Sequence, residues 1–182
     1  MASDEPVFAA LSLGGNLGDV RAAFRFALEK LALAEGVAVV ATSSVYRTAP
    51  WGKLEQPDFL NMATLLRVTI SPRALLDLCL SIERDHGRAR LEHWGPRTLD
   101  LDVLTYGALV VDEPGLTIPH PRLQDRAFVL TPLAEIAPDT LVRGVRVEEL
   151  CAGVERQGVE RAAGLSSTGN NCGEPSLDGG EG

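Results

Sequence analysis

The stretch Arg97-Thr98-Leu99-Asp100-Leu101-Asp102-Val103 constrains this chain more than any other. Polar and apolar side chains alternate there with a period of two, the pattern of a strand with one buried face. Thr98, Asp100 and Asp102 then look one way, with the two carboxylates about 7 Å apart along the strand. Leu99, Leu101 and Val103 look the other way, into apolar packing. Aspartate is depleted in strands, so two of them sharing a face create a repulsion that a bound cation relieves. A divalent metal is the simplest such cation.

Just upstream, Arg84, His86, Arg88, Arg90, His93 and Arg97 make a locally basic, Gly- and Pro-containing segment in a chain whose net charge is −8. Guanidinium groups fork onto phosphate oxygens, and a hard metal held by carboxylates bridges the same oxygens. A nucleoside triphosphate with magnesium satisfies both. The competing reading is a solvated arginine-rich loop beside an acidic strand edge, and adjacency of the two motifs in sequence favours the phosphate site.

At 182 residues and 45% hydrophobic content, the chain suits one substantial core followed by a tail. The expected division is a domain over 1–164 and a disordered tail over 165–182, where composition turns to Gly, Ser, Asn, Asp and Glu. A pI near 4.9 argues against broad duplex binding, which needs an extended basic surface. Cys79, Cys151 and Cys172 are odd in number and far apart, so neither a disulfide framework nor a zinc site is indicated, and a reducing cytoplasm fits. The acidic N-terminus and the lack of a long apolar run predict no membrane association.

Val7 to Leu13 reads as a buried strand, ending in Gly14-Gly15-Asn16-Leu17-Gly18 with Asp19 as a helix cap. Val20, Phe24, Ala27, Leu28 and Leu31 form the apolar stripe of a helix that stops before Gly36. Val37 to Tyr46 is β-branched and predicts one strand, and Asp58 to Thr69 predicts another. Ser71-Pro72 starts a second helix, striped by Leu75, Leu76, Cys79 and Ile82 and stopped by Gly87. The aspartate strand runs through Tyr106, with a short strand near Leu109 to Val111 and an extended Ile118-Pro119-His120-Pro121 loop. A helix over Ala127 to Ala137 accommodates Pro132 in its first turn or kinks at it. Leu141 to Val147 and Glu148 to Val154 are a last strand and a last helix. The sum is an α+β sandwich on a mostly antiparallel sheet.

Four motifs in order carry a family resemblance: Leu13-Gly14-Gly15-Asn16-Leu17-Gly18-Asp19; Tyr46-Arg47-Thr48 with Gln56-Pro57-Asp58-Phe59-Leu60-Asn61; Trp94-Gly95-Pro96-Arg97-Thr98-Leu99-Asp100-Leu101-Asp102; and Pro119-His120-Pro121-Arg122 with Arg126-Ala127-Phe128. Together, from about Val7 to Asp139, they resemble the 6-hydroxymethyl-7,8-dihydropterin pyrophosphokinases of folate biosynthesis. The resemblance implies a three-layer αβα sandwich on a ferredoxin-like sheet, and transfer of the diphosphate of ATP to the pterin hydroxymethyl oxygen with release of AMP. It also implies two magnesium ions on Asp100 and Asp102, and Arg88 and Arg97 in catalysis. Arg88, Arg90, Arg97, Val103, Thr117, His120 and Arg126 match nucleotide-contacting positions, with Leu76 another. Thr48, Phe59, Asn61 and Phe128 match the pterin pocket, the two phenylalanines sandwiching the ring. Glu83 matches a substrate-side position, against which stands an ordinary helix-surface glutamate; Arg84 reads as an exposed helical arginine.

Four positions depart from the commoner family pattern. Gly15 replaces a serine and is expected to loosen its loop. His93 replaces an arginine, Pro121 an aromatic, and Trp51 a smaller apolar residue that here becomes a candidate lid. The loops Arg47–Pro57 and Gly87–Pro96 are expected to close over ATP. The chain is expected to act on small molecules as a monomer, without nucleic acid. Two rivals use the same residues: a two-metal phosphohydrolase with water as nucleophile, and an α+β nucleic-acid module stacking bases on Phe59 and Phe128.

Overall fold

The first strand, β1 (Val7–Gly15), is apolar at most positions, as a strand covered on both faces must be. Its Ala9, Ala10, Leu11 and Leu13 have no exposed surface. The computed structural model describes residues 5–50, 55–87, 97–155 and 158–163. On one side of β1 runs β4 (Phe59–Val68), and on the other β5 (Asp100–Tyr106). β2 (Val37–Thr42) and β3 (Tyr46–Thr48) pair with successive parts of β4, and β10 (Val159–Arg161) adds to β3. All these pairings are antiparallel.

Helix α1 (Val20–Leu33) joins β1 to β2, and α2 (Pro72–Asp85) joins β4 to β5. The neighbouring order β5-β1-β4-β2 with two crossover helices is the ferredoxin-like arrangement expected. The Asp19 side chain accepts from the Ala22 amide and the Ser71 side chain from the Ala74 amide, so both predicted caps form. Val20, Ala23, Phe24, Ala27 and Leu31 of α1 and Leu75, Cys79 and Ile82 of α2 bury against one face of the sheet. The other face carries α3 (Ala127–Ile136) and α4 (Val147–Gly153), packed through Val129, Leu130, Leu133, Val147 and Cys151 onto Ala10, Ala63 and Leu104. Two helical layers enclose the sheet, as expected.

The differences from expectation are local. The predicted strand Val37 to Tyr46 divides in two at residues 43–45, and β2 also slips register against β4 between Val39 and Ala41. Ser43 fills the break: its hydroxyl accepts from the Ala63 amide at 2.9 Å and replaces a ladder bond. Near Leu109 the chain turns instead of extending, and the hairpin β6 (Val111–Glu113) and β7 (Leu116–Ile118) follows. The predicted strand Leu141 to Val147 is a tighter hairpin of β8 (Leu141–Val142) and β9 (Val145–Arg146). Its turn residues Arg143 and Gly144 have φ of 51° and 84°, the positive values such turns demand. Pro132 lies inside α3, beyond its first turn, and lacks the amide that would meet the Phe128 carbonyl. The short β10 strand has no counterpart among the sequence expectations. The expected tail 165–182 lies outside the described residues.

Candidate active site

Strand register decides what stands beside the aspartates. Asp100 is opposite Gly14, which is opposite Asn61; Asp102 is opposite Ser12, which is opposite Ala63. Residues in such a row share a face. Both carboxylates therefore lie on the α3 side, in a trough floored by Gly14, Ser12 and Ala63. Leu101 and Val103 are buried in the α1/α2 layer, as the alternation predicts. The Val103 side chain thus packs on the opposite face from the aspartates.

Arg97 forms an ion pair with Asp100. Burial, then the neighbouring Asp100, pushes the Asp102 carboxyl above its ordinary value; His120, Arg126 and Arg97 pull the other way. Those interactions gather four of the separately predicted residues around one carboxylate. His120 is placed by its own amide, which donates to the Leu104 carbonyl of β5 at 2.9 Å. Its Nδ1 accepts from the Arg122 amide at 3.2 Å, and burial holds the imidazole below its ordinary pKa, against the pull of Asp102. A neutral ring accepting at Nδ1 carries its proton at Nε2, a donor for an anionic oxygen. Arg126 precedes α3 and sits 5.7 Å from the Phe128 ring centroid. Burial lowers its pKa while Asp102 opposes that.

Among the described residues no group of three or more His, Cys, Asp or Glu side chains could hold a metal. A pair of carboxylates on one open face still fits a hard divalent cation whose remaining ligands are phosphate and water oxygens. Such a cation binds together with a polyphosphate.

Farther along the same face, the Asn61 Nδ2 donates to the Thr48 Oγ1 at 3.0 Å, with both residues buried. A Cβ on Gly14 would sit 3.4 Å from the Asn61 Oδ1, so the glycine keeps the trough open between Asn61 and Asp100. Phe59 is opposite Thr48 in the β3–β4 pairing. Phe59 and Phe128 are half-buried, Phe128 packing against the core cluster beneath α3. Thr117 lies on β7, its hydroxyl 3.5 Å from the Asp112 Oδ1, three residues before His120. Arg88, Arg90, His93, Trp94 and Trp51 lie outside the described residues, as do parts of both loops expected to close.

Two expectations are revised. Glu83 is no surface glutamate: it is 1% exposed and its Oε1 accepts from the Leu101 amide at 2.7 Å, bracing β5 between the aspartates. Gly15 does not loosen its loop. A Cβ there would stand 2.8 Å from the Thr98 carbonyl oxygen, so the missing side chain permits close approach of the Arg97–Thr98 backbone. Arg84 is exposed, as read.

The sequence reading missed Glu135 of α3. It accepts from the Ser44 amide and hydroxyl, the Tyr46 hydroxyl and Arg161, tying α3 to β3 and β10. Burial works against its ionisation, but those bonds prevail and hold the carboxyl below its ordinary range. The Tyr46 hydroxyl is pushed up to about 12 by burial and by Glu135. No local pattern marks Glu135, whose partners come from segments distant in sequence.

The family described as 7,8-dihydro-6-hydroxymethylpterin-pyrophosphokinase matches residues 10–138. A 2-amino-4-hydroxy-6-hydroxymethyldihydropteridine pyrophosphokinase from Methylorubrum extorquens is 47% identical over 153 residues, covering 84% of this chain and 97% of that protein. A protein of the same name from Synechocystis is 51% identical over 131 residues, covering 72% and 67%. The fold resembles the crystal structure of wild-type Plasmodium falciparum HPPK-DHPS with pteroate, with a TM-score of 0.65 and 12% identity over 83% of this chain and 45% of that one. The chain thus spans less than half of that longer protein.

Proposed function

The chain belongs to the 7,8-dihydro-6-hydroxymethylpterin-pyrophosphokinase family, and from that membership we infer how its own residues divide the work. The reaction is transfer of the diphosphate of ATP to 6-hydroxymethyl-7,8-dihydropterin, giving the pterin diphosphate and AMP in folate biosynthesis. Asp100 and Asp102 hold magnesium, two ions in this reading. When bound, the metal supplies charge neutralisation and alignment of the phosphate oxygens. Arg97, Arg126 and the Nε2–H of His120 stabilise the charge that builds as the bond to AMP breaks, with Arg88 in the same role. Arg90, Thr117 and the Val103 backbone complete the nucleotide contacts. Thr48 and Asn61 read the pterin amide edge, and Phe59 and Phe128 stack on its faces.

One observation carries this assignment: the row Asn61–Gly14–Asp100 across three adjacent strands. Two interstrand spacings put the Cα atoms of Asn61 and Asp100 about 10 Å apart, with the open Gly14 position between their side chains. A flat bicyclic ring with a one-carbon arm fits that span, delivering its hydroxyl oxygen toward phosphate held at the aspartates. In this reading the attack is direct, by the pterin hydroxyl oxygen, with no covalent enzyme intermediate. The same reading takes the enzyme as a monomer working in the cytoplasm, in keeping with buried Cys79 and Cys151 thiols. Among the described residues, no helix is long and apolar enough to cross a membrane.

Product analysis with magnesium tests the site. The wild-type chain should give AMP and pterin diphosphate in equal amounts, and Asp100→Ala should give neither while still binding the pterin in calorimetry. Undiminished transfer by Asp100→Ala would refute the assignment.

A further inference from the structure

Asn16 is a polar side chain 5% exposed in the turn between β1 and α1, and every hydrogen-bonding group on its carboxamide is used. The Nδ2 donates to the Gln56 Oε1 at 3.1 Å and to the Pro57 carbonyl at 3.0 Å. The Oδ1 accepts from the Arg97 amide at 2.9 Å. Its backbone N–H donates to the Arg97 carbonyl at 2.8 Å, joined by that of Leu17 at 3.1 Å. Both the N–H and the C=O of Arg97 are therefore gripped by one turn. The bare α-carbon of Gly15 lets the Thr98 carbonyl lie against that turn.

The two arms lead to different halves of the site. Pro57 stands two residues before Phe59 and four before Asn61; Arg97 carries the guanidinium paired with Asp100. We propose that Asn16 is a positioning residue for diphosphoryl transfer, its single carboxamide fixing the Arg97–Asp100 side of the site against the strand that carries Phe59 and Asn61. The proposal rests on the assignment of those two halves to nucleotide and pterin. Asn16 touches neither substrate; it sets the separation between them. An amide is the side-chain chemistry suited to this place, because the two carbonyl-type acceptors need an N–H donor and the Arg97 amide needs an acceptor.

The test is the steady-state kinetics of Asn16→Ala, Gln56→Leu and Gln56→Glu, with substrate affinities measured separately by calorimetry and folding checked by thermal unfolding. Misplacement of reacting groups by a fraction of an ångström to 1 Å should lower kcat of Asn16→Ala about 10- to 100-fold. The dissociation constant of each substrate alone should change by less than about threefold, a smaller effect than the loss of alignment. Gln56→Leu should lower kcat less than Asn16→Ala, and Gln56→Glu, which keeps an acceptor for Nδ2, should lose less than Gln56→Leu. The double variant Asn16→Ala/Gln56→Leu should be no slower than Asn16→Ala alone. Wild-type kcat in Asn16→Ala, or losses in the two single variants that multiply in the double, would overturn the proposal. If Asn16→Ala does not fold, the Gln56 pair decides: equal kcat for Gln56→Leu and Gln56→Glu overturns it. Transfer insensitive to Asp100→Ala would instead overturn the underlying site, so the two failures are distinguishable.

Discussion

The two faces of β5 make opposite demands on one strand. Toward α1 and α2, Leu101 and Val103 enter a continuous apolar layer with Leu11, Leu13, Phe24 and Ile82. Toward α3, Asp100 and Asp102 face a trough floored by glycine, serine and alanine, and burial makes the ionised Asp102 unfavourable. One face contributes stability and the other gathers charge. Placing both on a single strand gives the carboxylates a rigid mount, because the apolar side fixes where the acidic side points. Glu83 extends this logic by holding the Leu101 amide from the helical side.

Substitutions that act on one face alone break or sharpen that contrast. Asp102→Ala should have the largest effect: loss of several kcal/mol of transition-state stabilisation lowers transfer by about three orders of magnitude or more. Its thermal unfolding midpoint in metal-free buffer should match or exceed wild type, since a buried charge is removed. A lowered midpoint with proportional loss of activity would erase the contrast. Leu11→Ala, on the apolar side of β1, should cost about 2–5 kcal/mol of stability in denaturant unfolding. Its turnover per folded molecule should stay near wild type, in a mirror image of Asp102→Ala.

The smallest effect concerns how α3 is held over the reaction face. Because the Glu135 carboxyl is depressed in the folded chain, its stabilising contribution is complete above its unfolded value of 4.5 and is lost as pH falls through the lower folded value. The unfolding midpoint of Glu135→Gln should lie below wild type at neutral pH, and the gap should close on acidification through that window. A gap independent of pH would mean that the Ser44, Tyr46 and Arg161 bonds do not act through the charge.

Much of this was legible because the signal was local. The caps Asp19 and Ser71, the stripes of α1 and α2 and the alternation at Asp100–Asp102 are read within a few residues and survive unchanged in the fold. The aspartate pair, Arg97, His120 and Arg126 belong to sequence motifs, and Asp100, His120, Arg126 and Arg97 all act on the Asp102 carboxyl. Where the chain is held by distant partners the reading failed. The β2–β3 break depends on Ser43 meeting Ala63, β10 exists only because β3 leaves an edge open, and Glu83 is buried only because β5 lies against α2. The need for glycine at position 15 comes from the Thr98 carbonyl, 83 positions away in sequence, lying against it.

By itself the sequence determined that a strand would carry two acids on one face and leucine and valine on the other, because side-chain alternation is a property of the extended backbone. It also set the helices, through apolar spacing and capping. Only tertiary structure decided that Asn61, Gly14 and Asp100 stand in one row, that His120 is hung from the Leu104 carbonyl of β5, and that Asn16 reaches an Arg97 lying 81 positions away. Those relations depend on register between strands and on packing between layers, where the energy of each contact is fixed by partners that no local pattern names.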